Sequence, residues 1–327
     1  MHINNNAHII KSIRINIVWL LLISFSTNAS TLNFETPQNI LQSISQNPQP
    51  ILGMHDTLGG IQSNGFEYIS SVCGVSLGLL SMDFGYSTHP NDSIRLRKKL
   101  LSKVEKLNKA GILFTLSWHQ CNPVSDEPCT FKDGVQKILS EAEWNELLID
   151  NSKLNLRWKT QVDRLATFLR QLQNKGIVVL LRPYHESNIP GFWWAHKDPE
   201  RFISLWRQLK HYLTSHHKLN NIIWVWSVSY HPKYWINMAN YYPGKDQVDI
   251  IGLDIYPPTR YGKPAFAKAW KDLKKVDAHK PIALSEISRL PSQAELQNHN
   301  WAYLVPWGKT MLIRDNTVNT ICETYLR

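Results

Sequence analysis

Leu181-Arg182-Pro183-Tyr184-His185-Glu186 sets an arginine, a histidine and a carboxylate at the end of Ile177-Val178-Val179-Leu180-Leu181, a continuous apolar run that reads as a strand covered on both faces. Packing does not ask for ionisable groups at such a strand end, whereas chemistry does. A buried salt bridge from Arg182 to some carboxylate, with His185 filling space beside it, is the plainer alternative. Against it stands a second site, Leu284-Ser285-Glu286-Ile287, where another glutamate closes another short apolar run. Two such carboxylates suit cleavage of a glycosidic bond, one protonating the departing oxygen and the other attacking the anomeric carbon. Their separation is about 5 to 5.5 Å where configuration is retained and about 6.5 to 9.5 Å where it is inverted. Arg182 is the cation that would keep the attacking carboxylate ionised. The proton donor needs a raised pKa, and crowding by the other carboxylate and by Trp193 or Trp194 is the expected source. Spacing alone does not say which glutamate has which role.

For Glu186 and Glu286 to meet, the fold must gather strand ends at one face. Eight short apolar runs close in polar or aromatic residues, over 50–56, 75–84, 112–119, 177–186, 222–229, 250–256, 282–286 and 303–307. Helical patterns lie between them. Asp92 is the expected cap of a helix whose apolar positions Ile94, Leu101, Val104 and Leu107 stop at Gly111. Trp158, Val162, Leu165, Leu169 and Leu172 follow helical spacing, and Asp198-Pro199 is a strong start signal for a stripe through Phe202, Leu205, Trp206, Leu209 and Leu213. Further helices are expected over 263–276 and 310–325. Strands alternating with helices predict an α/β chain folded as a single-domain (β/α)8 TIM barrel. A doubly wound sheet competes, but no glycine-rich phosphate loop follows the first strand. In a barrel the strand ends bring together Asp83, Trp118, His119, Arg182, His185, Glu186, Asp254, Tyr256, Glu286 and Trp307, with His55 a weaker candidate. The long connection from Cys129 to Asn155 would lie on the same side, where extended connections serve as lids or binding loops.

The remaining composition narrows the class. Net charge is +10, yet the basic residues are spread along expected helices, as Arg95, Arg97, Lys98, Lys99, Lys103 and Lys106 are, so a solvated face is expected rather than a nucleic-acid partner. The aromatics, 13 Trp, 12 Tyr and 10 Phe, offer flat apolar faces suited to sugars. Lys11 and Arg14 precede an apolar stretch over 15–25, and Thr27-Asn28-Ala29 offers small residues to a signal peptidase. The expectation is a cleaved signal over 1–29 and a catalytic domain over 30–327, secreted or periplasmic, with no membrane span. No cysteine follows that cut, so a lipid anchor is not indicated. Four cysteines in an exported chain favour disulfides, Cys121 with Cys129 and Cys73 with Cys322. No metal and no cofactor are expected: Met54-His55-Asp56 is not a His-x-His pair, and His185-Glu186 does not continue into His-Glu-x-x-His. A monomer is expected.

The chain resembles glycoside hydrolase family 26, whose members include secreted endo-β-1,4-mannanases. The likeness is carried by Ile51-Leu52-Gly53-Met54-His55-Asp56, Leu116-Ser117-Trp118-His119, Arg182-Pro183-Tyr184-His185-Glu186, Phe192-Trp193-Trp194, Gly252-Leu253-Asp254-Ile255-Tyr256 and Ser285-Glu286. It implies a (β/α)8 barrel and a retaining mechanism, with Glu186 as acid/base and Glu286 as nucleophile. It also implies that His185 stands beside the acid/base, that Trp118 and His119 contact the sugar before the cleaved bond, that the Tyr256 of the Asp254/Tyr256 pair touches the nucleophile, and that Trp307 forms an aromatic floor. Three departures stand out. Pro190-Gly191 occupies the place where family mannanases commonly carry a tryptophan, Ser288 stands for a frequent glycine, and Gly308 stands for a frequent arginine. The family also holds enzymes cutting β-1,3-xylan and mixed-linkage β-glucan, and a barrel that binds polysaccharide without cutting it is the reading from another class.

Overall fold

The computed structural model describes residues 36–59, 63–258 and 262–326. The expected signal and its cleavage point lie outside the described residues. Strands β1 (Ile51–His55), β2 (Leu79–Asp83), β3 (Leu113–Trp118), β4 (Val179–Pro183), β5 (Ile222–Ser229), β6 (Ile250–Ile255), β7 (Ile282–Ile287) and β8 (Trp301–Pro306) form a closed barrel in sequence order, with β8 pairing in parallel back to β1. Each run is buried on both faces because its inward side chains fill the barrel and its outward ones meet helices. Leu79, Leu113, Val178, Leu180, Ile223, Val225, Ile250, Ala283, Tyr303 and Val305 make one inner cluster. Ile40 and Ile44 of the helix Pro37–Gln46 join it from the end where the strands begin, so this helix stops the barrel floor. Nothing in the strand and helix count pointed to that plug.

The helix Lys153–Gln173 buries Trp158, Val162, Leu165, Leu169 and Leu172, and Asp198 caps Pro199–His211 by accepting from the Glu200 amide, both as expected. Three expectations need correction. Asp92 does not cap a helix, because its carbonyl accepts from the Tyr86 and Ser87 amides, and Ser93 instead caps a short 3-10 turn, Ile94–Leu96, that leads into Arg97–Asn108. The helix expected over 263–276 starts at Phe266 rather than Lys263, since Pro264 keeps the residue before it out of helical geometry. The last helix is two, Lys309–Asp315 and Val318–Tyr325, broken at an extended Asn316 whose amide donates to the carbonyls of Ser288 and Leu312.

Both expected disulfides form, Cys73–Cys322 across a sequence separation of 249 and Cys121–Cys129 across 8. Closing the longer loop removes more freedom from the unfolded chain. Replacing Cys73 and Cys322 by serine is therefore expected to lower unfolding stability by about 2 to 5 kcal/mol, and urea denaturation of the double variant against wild type checks it.

Candidate active site

Register assembles the site. Ser117 of β3 lies opposite Arg182 of β4, and a shift in the β6/β7 pairing after Leu253 places Asp254 opposite Glu286. Gly252 makes room beneath: a Cβ there would meet Ser285 Oγ at 2.5 Å and Ser227 Cβ at 2.9 Å, so only glycine lets the two serine hydroxyls sit 3.0 Å apart. Arg182, 2% exposed, then spreads its guanidinium across the barrel. It donates to Asp254 Oδ2 at 2.7 Å, to Glu286 Oε2 at 2.8 Å and to Ser117 Oγ at 3.0 Å. Burial works against its charge, but the two carboxylates outweigh that and raise its pKa. The Tyr256 hydroxyl donates to Glu286 Oε1, so both oxygens of this glutamate are held. Burial and the Glu286 charge push the Tyr256 phenol well above its ordinary pKa, which keeps it a donor.

Glu186 stands in the opposite environment. Burial first, and then the Glu286 and Asp254 charges, push its carboxyl up to about 8. Its backbone has φ of 55°, and Tyr184 has 49°, a left-handed conformation that costs a non-glycine residue energy and tends to persist where surrounding structure enforces it. Here the Glu186 amide is tied to the Ser227 carbonyl at 3.0 Å and Trp194 Nε1 to the His185 carbonyl at 2.8 Å.

A histidine chain completes one wall. Asp83 Oδ2 faces His119 Nδ1 at 2.7 Å, and His119 Nε2 faces His185 Nε2 at 3.1 Å. Burial opposes an ionised Asp83, but His119 beside it and the Gly85 amide hold it below the ordinary carboxylate range. His185 is held neutral by burial and by the Arg182 charge, and His55 falls to about 3 chiefly through burial. With Nδ1–H of His119 toward Asp83, His185 donates from Nε2 and keeps a lone pair on Nδ1, which has no partner among the described residues. Trp307 stacks on His55 at 3.6 Å between ring centres, under the guanidinium of Arg182.

These groups line one cavity of about 500 Å³ that takes in His55, His119, His185, Glu186, Tyr256, Glu286 and Trp307. Of the residues expected to face a ligand, Trp118, Trp193 and Asp254 do not line it. Trp118 points out of the barrel against Phe84 and Tyr184 and is fully buried. Trp193 is also fully buried, donating from Nε1 to the Gln120 carbonyl at 2.8 Å, and Trp194 lies behind Phe192, stacked at 4.5 Å. Burial and the charges of Glu286 and Asp254 raise the Glu186 carboxyl. Asp254 sits beneath the floor, bound to Arg182 and Ser285. The wall instead includes Phe192, Tyr86 and Phe131. Phe131 comes from the long third connection, which does lie on the cavity side. Phe192 was hidden by its two larger neighbours, and Tyr86 by the lack of any pattern after Gly85. Among the described residues no group of three or more His, Cys, Asp or Glu is placed to hold a metal ion, and no helix is long and apolar enough to cross a membrane.

A parallel (β/α)8 barrel whose mouth holds two glutamates in contrasting electrostatic settings belongs to the class of barrels that carry their ligand chemistry at the strand C-termini. The chain belongs to glycosyl hydrolase family 26, whose family model matches residues 69–314. It is 34% identical over 192 residues to mannan endo-1,4-beta-mannosidase A and B of Caldalkalibacillus mannanilyticus, covering 56% of this chain and 35% of that protein. It is 31% identical over 189 residues to mannan endo-1,4-beta-mannosidase of Bacillus subtilis, covering 55% and 48%. The matches thus span about a third to a half of the length of these relatives. The structure of GH26A from a Muricauda species superposes with a TM-score of 0.78 at 28% identity, covering 92% of this chain and 96% of that one.

Proposed function

We propose that this chain is an exported hydrolase that cleaves β-1,4-mannan with retention of configuration, the catalytic domain being residues 30–327 after removal of a signal over 1–29. The observation that carries the reading is the contrast within one cavity: Glu286 is ion-paired and twice hydrogen-bonded, while Glu186 is buried with its carboxyl pushed up to about 8. An ionised carboxylate attacks and a protonated one gives up its proton. Glu286 forms the bond to the anomeric carbon as the glycosidic bond breaks, and Glu186 passes its proton to the departing oxygen. Glu186, now ionised, takes a proton from water, whose oxygen displaces Glu286 and yields the β-configured product. His185 Nδ1 meets a sugar hydroxyl, His119 holds His185 in that tautomer and lies against the sugar through its ring, and Trp307 is the apolar floor under the ring. Tyr256 and Arg182 steady Glu286, and Asp254 acts through Arg182. Trp118 and Trp193 act from behind the wall. Mannan as the substrate rests on the names of the relatives.

Because Glu186 must be protonated to act, kcat/KM is expected to hold below about pH 8 and to fall about tenfold per pH unit above it. A pH profile of initial rates checks this, and a basic limb that begins near the ordinary glutamate value contradicts it. The substrate is tested by reducing-end release from linear mannan, galactomannan, β-1,3-xylan and barley β-glucan, with Glu286→Gln as control. Release is expected to be fastest from a mannan. Binding to mannan with no new reducing ends from any of the four would leave a non-catalytic barrel.

A further inference from the structure

We propose that Cys121 and Cys129 are a positioning pair for substrate binding: their disulfide holds the aromatic wall of Phe131 and Tyr86 against the 500 Å³ cavity, and reducing it loosens the grip on the sugar while the two glutamates stay in place. This rests on the reading of that cavity as the sugar site. Phe131 has no strand or long helix to hold it. It opens a single helical turn, Phe131–Val135, on the connection after β3, and it is 40% exposed. Yet it closes the wall, with its ring centre 6.1 Å from Tyr86, 6.0 Å from His119 and 6.1 Å from Phe192. A ring so little packed is fixed by its backbone or not at all.

That backbone is fixed through the disulfide. Cys121 follows His119 at the end of β3 and Cys129 shortly precedes Phe131, so the bond ties the strand end to the turn. The Cys129 amide donates to the Tyr86 carbonyl at 2.9 Å, and Cys121 Sγ lies 3.5 Å from the same oxygen, so the bridge and the Tyr86 backbone form one clamp. The turn closes directly over it, since a Cβ at Gly134 would lie 2.2 Å from Cys129 Sγ. At its far end the Asn122 side-chain amide donates to the Gly134 carbonyl at 2.9 Å and the Trp193 amide to the Val135 carbonyl at 3.0 Å, which sets the same turn behind Phe192. The middle of the 121–129 loop has anchors of its own. Arg97 donates to both oxygens of Glu127, at 2.8 and 3.1 Å, and to the Phe84 and Gly85 carbonyls at 3.0 and 2.7 Å. Without the bridge the loop therefore keeps its place up to Glu127, and freedom is gained past it, in the turn that carries Phe131. Glu186 and Glu286 are held from elsewhere, by the Ser227 carbonyl, Arg182 and Tyr256. A ring already in place loses little freedom when a ligand binds, whereas a mobile one must be ordered at a cost in affinity.

The test compares two double variants on linear mannohexaose. Cys121→Ser/Cys129→Ser is expected to raise KM about tenfold, with kcat within about twofold and the basic limb near pH 8 unmoved, the split that loss of uniform binding gives. Cys73→Ser/Cys322→Ser, which removes the bridge between two outer helices, is expected to keep the wild-type KM. In that second variant dithiothreitol has one bridge left to act on, and Cys129 is only half-buried. Two electrons and two protons pass to Cys121 and Cys129 as the reagent closes to its cyclic disulfide. Reduction should reproduce the rise in KM and reoxidation should reverse it. An unchanged KM, a kcat that falls as far as kcat/KM, or an equal rise in KM in both variants overturns the proposal. Hydrogen exchange separates this from the hydrolase reading. Even if the chain cuts no mannan, the amides of Cys129, Gly134, Val135 and Gln136 are expected to exchange about tenfold faster in the first variant and at the wild-type rate in the second, and equal exchange in the two overturns the clamp.

Discussion

Glu286→Ala is expected to lower turnover on β-mannan by on the order of 10⁴ to 10⁶, the range over which loss of a nucleophile acting within a catalytic unit is felt. Arg182 and Tyr256 are aimed at the carboxylate oxygens, and without it there is nothing for them to hold against the anomeric carbon. The fold should survive, because Arg182 keeps its bonds to Asp254 and Ser117 and no buried cation is left unpaired. The loss should therefore come with a near wild-type unfolding transition. Azide can enter the space vacated by the side chain. With an activated aryl β-mannoside it is expected to restore rate and give the α-mannosyl azide, the product of a single displacement. Recovery of β-configured azide, or wild-type rates without any rescue, would place the nucleophile elsewhere.

Glu186→Gln is expected to cost about 10² to 10⁴ on mannan, the usual worth of general acid/base help. Its signature is more telling than its size. A dinitrophenyl leaving group needs no proton, so the first step on such a mannoside should stay near the wild-type rate. The second step lacks its base, and one equivalent of dinitrophenol should appear in a burst before a slow steady state. The basic limb near pH 8 should vanish with the group that produces it. A uniform fall on mannan and dinitrophenyl mannoside, with the limb intact, would mean that another group supplies the proton.

How much of this was legible beforehand follows from the kind of signal each residue carries. Glu186 and Glu286 stand out because a carboxylate closing a buried apolar run has no packing reason to be there, and the same runs are what made the barrel readable. The family likeness supplied the division of labour that spacing left open. Trp118 and Trp193 were misplaced because a linear motif does not tell which way a side chain points. Both are on the outer side of the barrel wall, where their area fills the gap to Phe84, Tyr184 and Trp144. Asp254 is at a strand end, as expected, but the pairing shift at Leu253 turns it under Glu286 rather than toward the cavity. Phe131 carried no strand or helix pattern; only the length of its connection marked it. The 37–46 helix was missed since its two buried residues, Ile40 and Ile44, are a single turn apart among polar neighbours, and their partner surface is made by strands far away in sequence.

The configuration of the first product tests the central claim most directly. Proton NMR of a mannohexaose digest, recorded within the first minutes and before mutarotation, reads the anomer as it is released. Two glutamates working in sequence, Glu286 by attack and Glu186 by proton transfer in both steps, predict that the β anomer appears first and the α anomer grows in later. An α anomer at the earliest time points would contradict the account, since it requires water, not Glu286, to displace the leaving sugar.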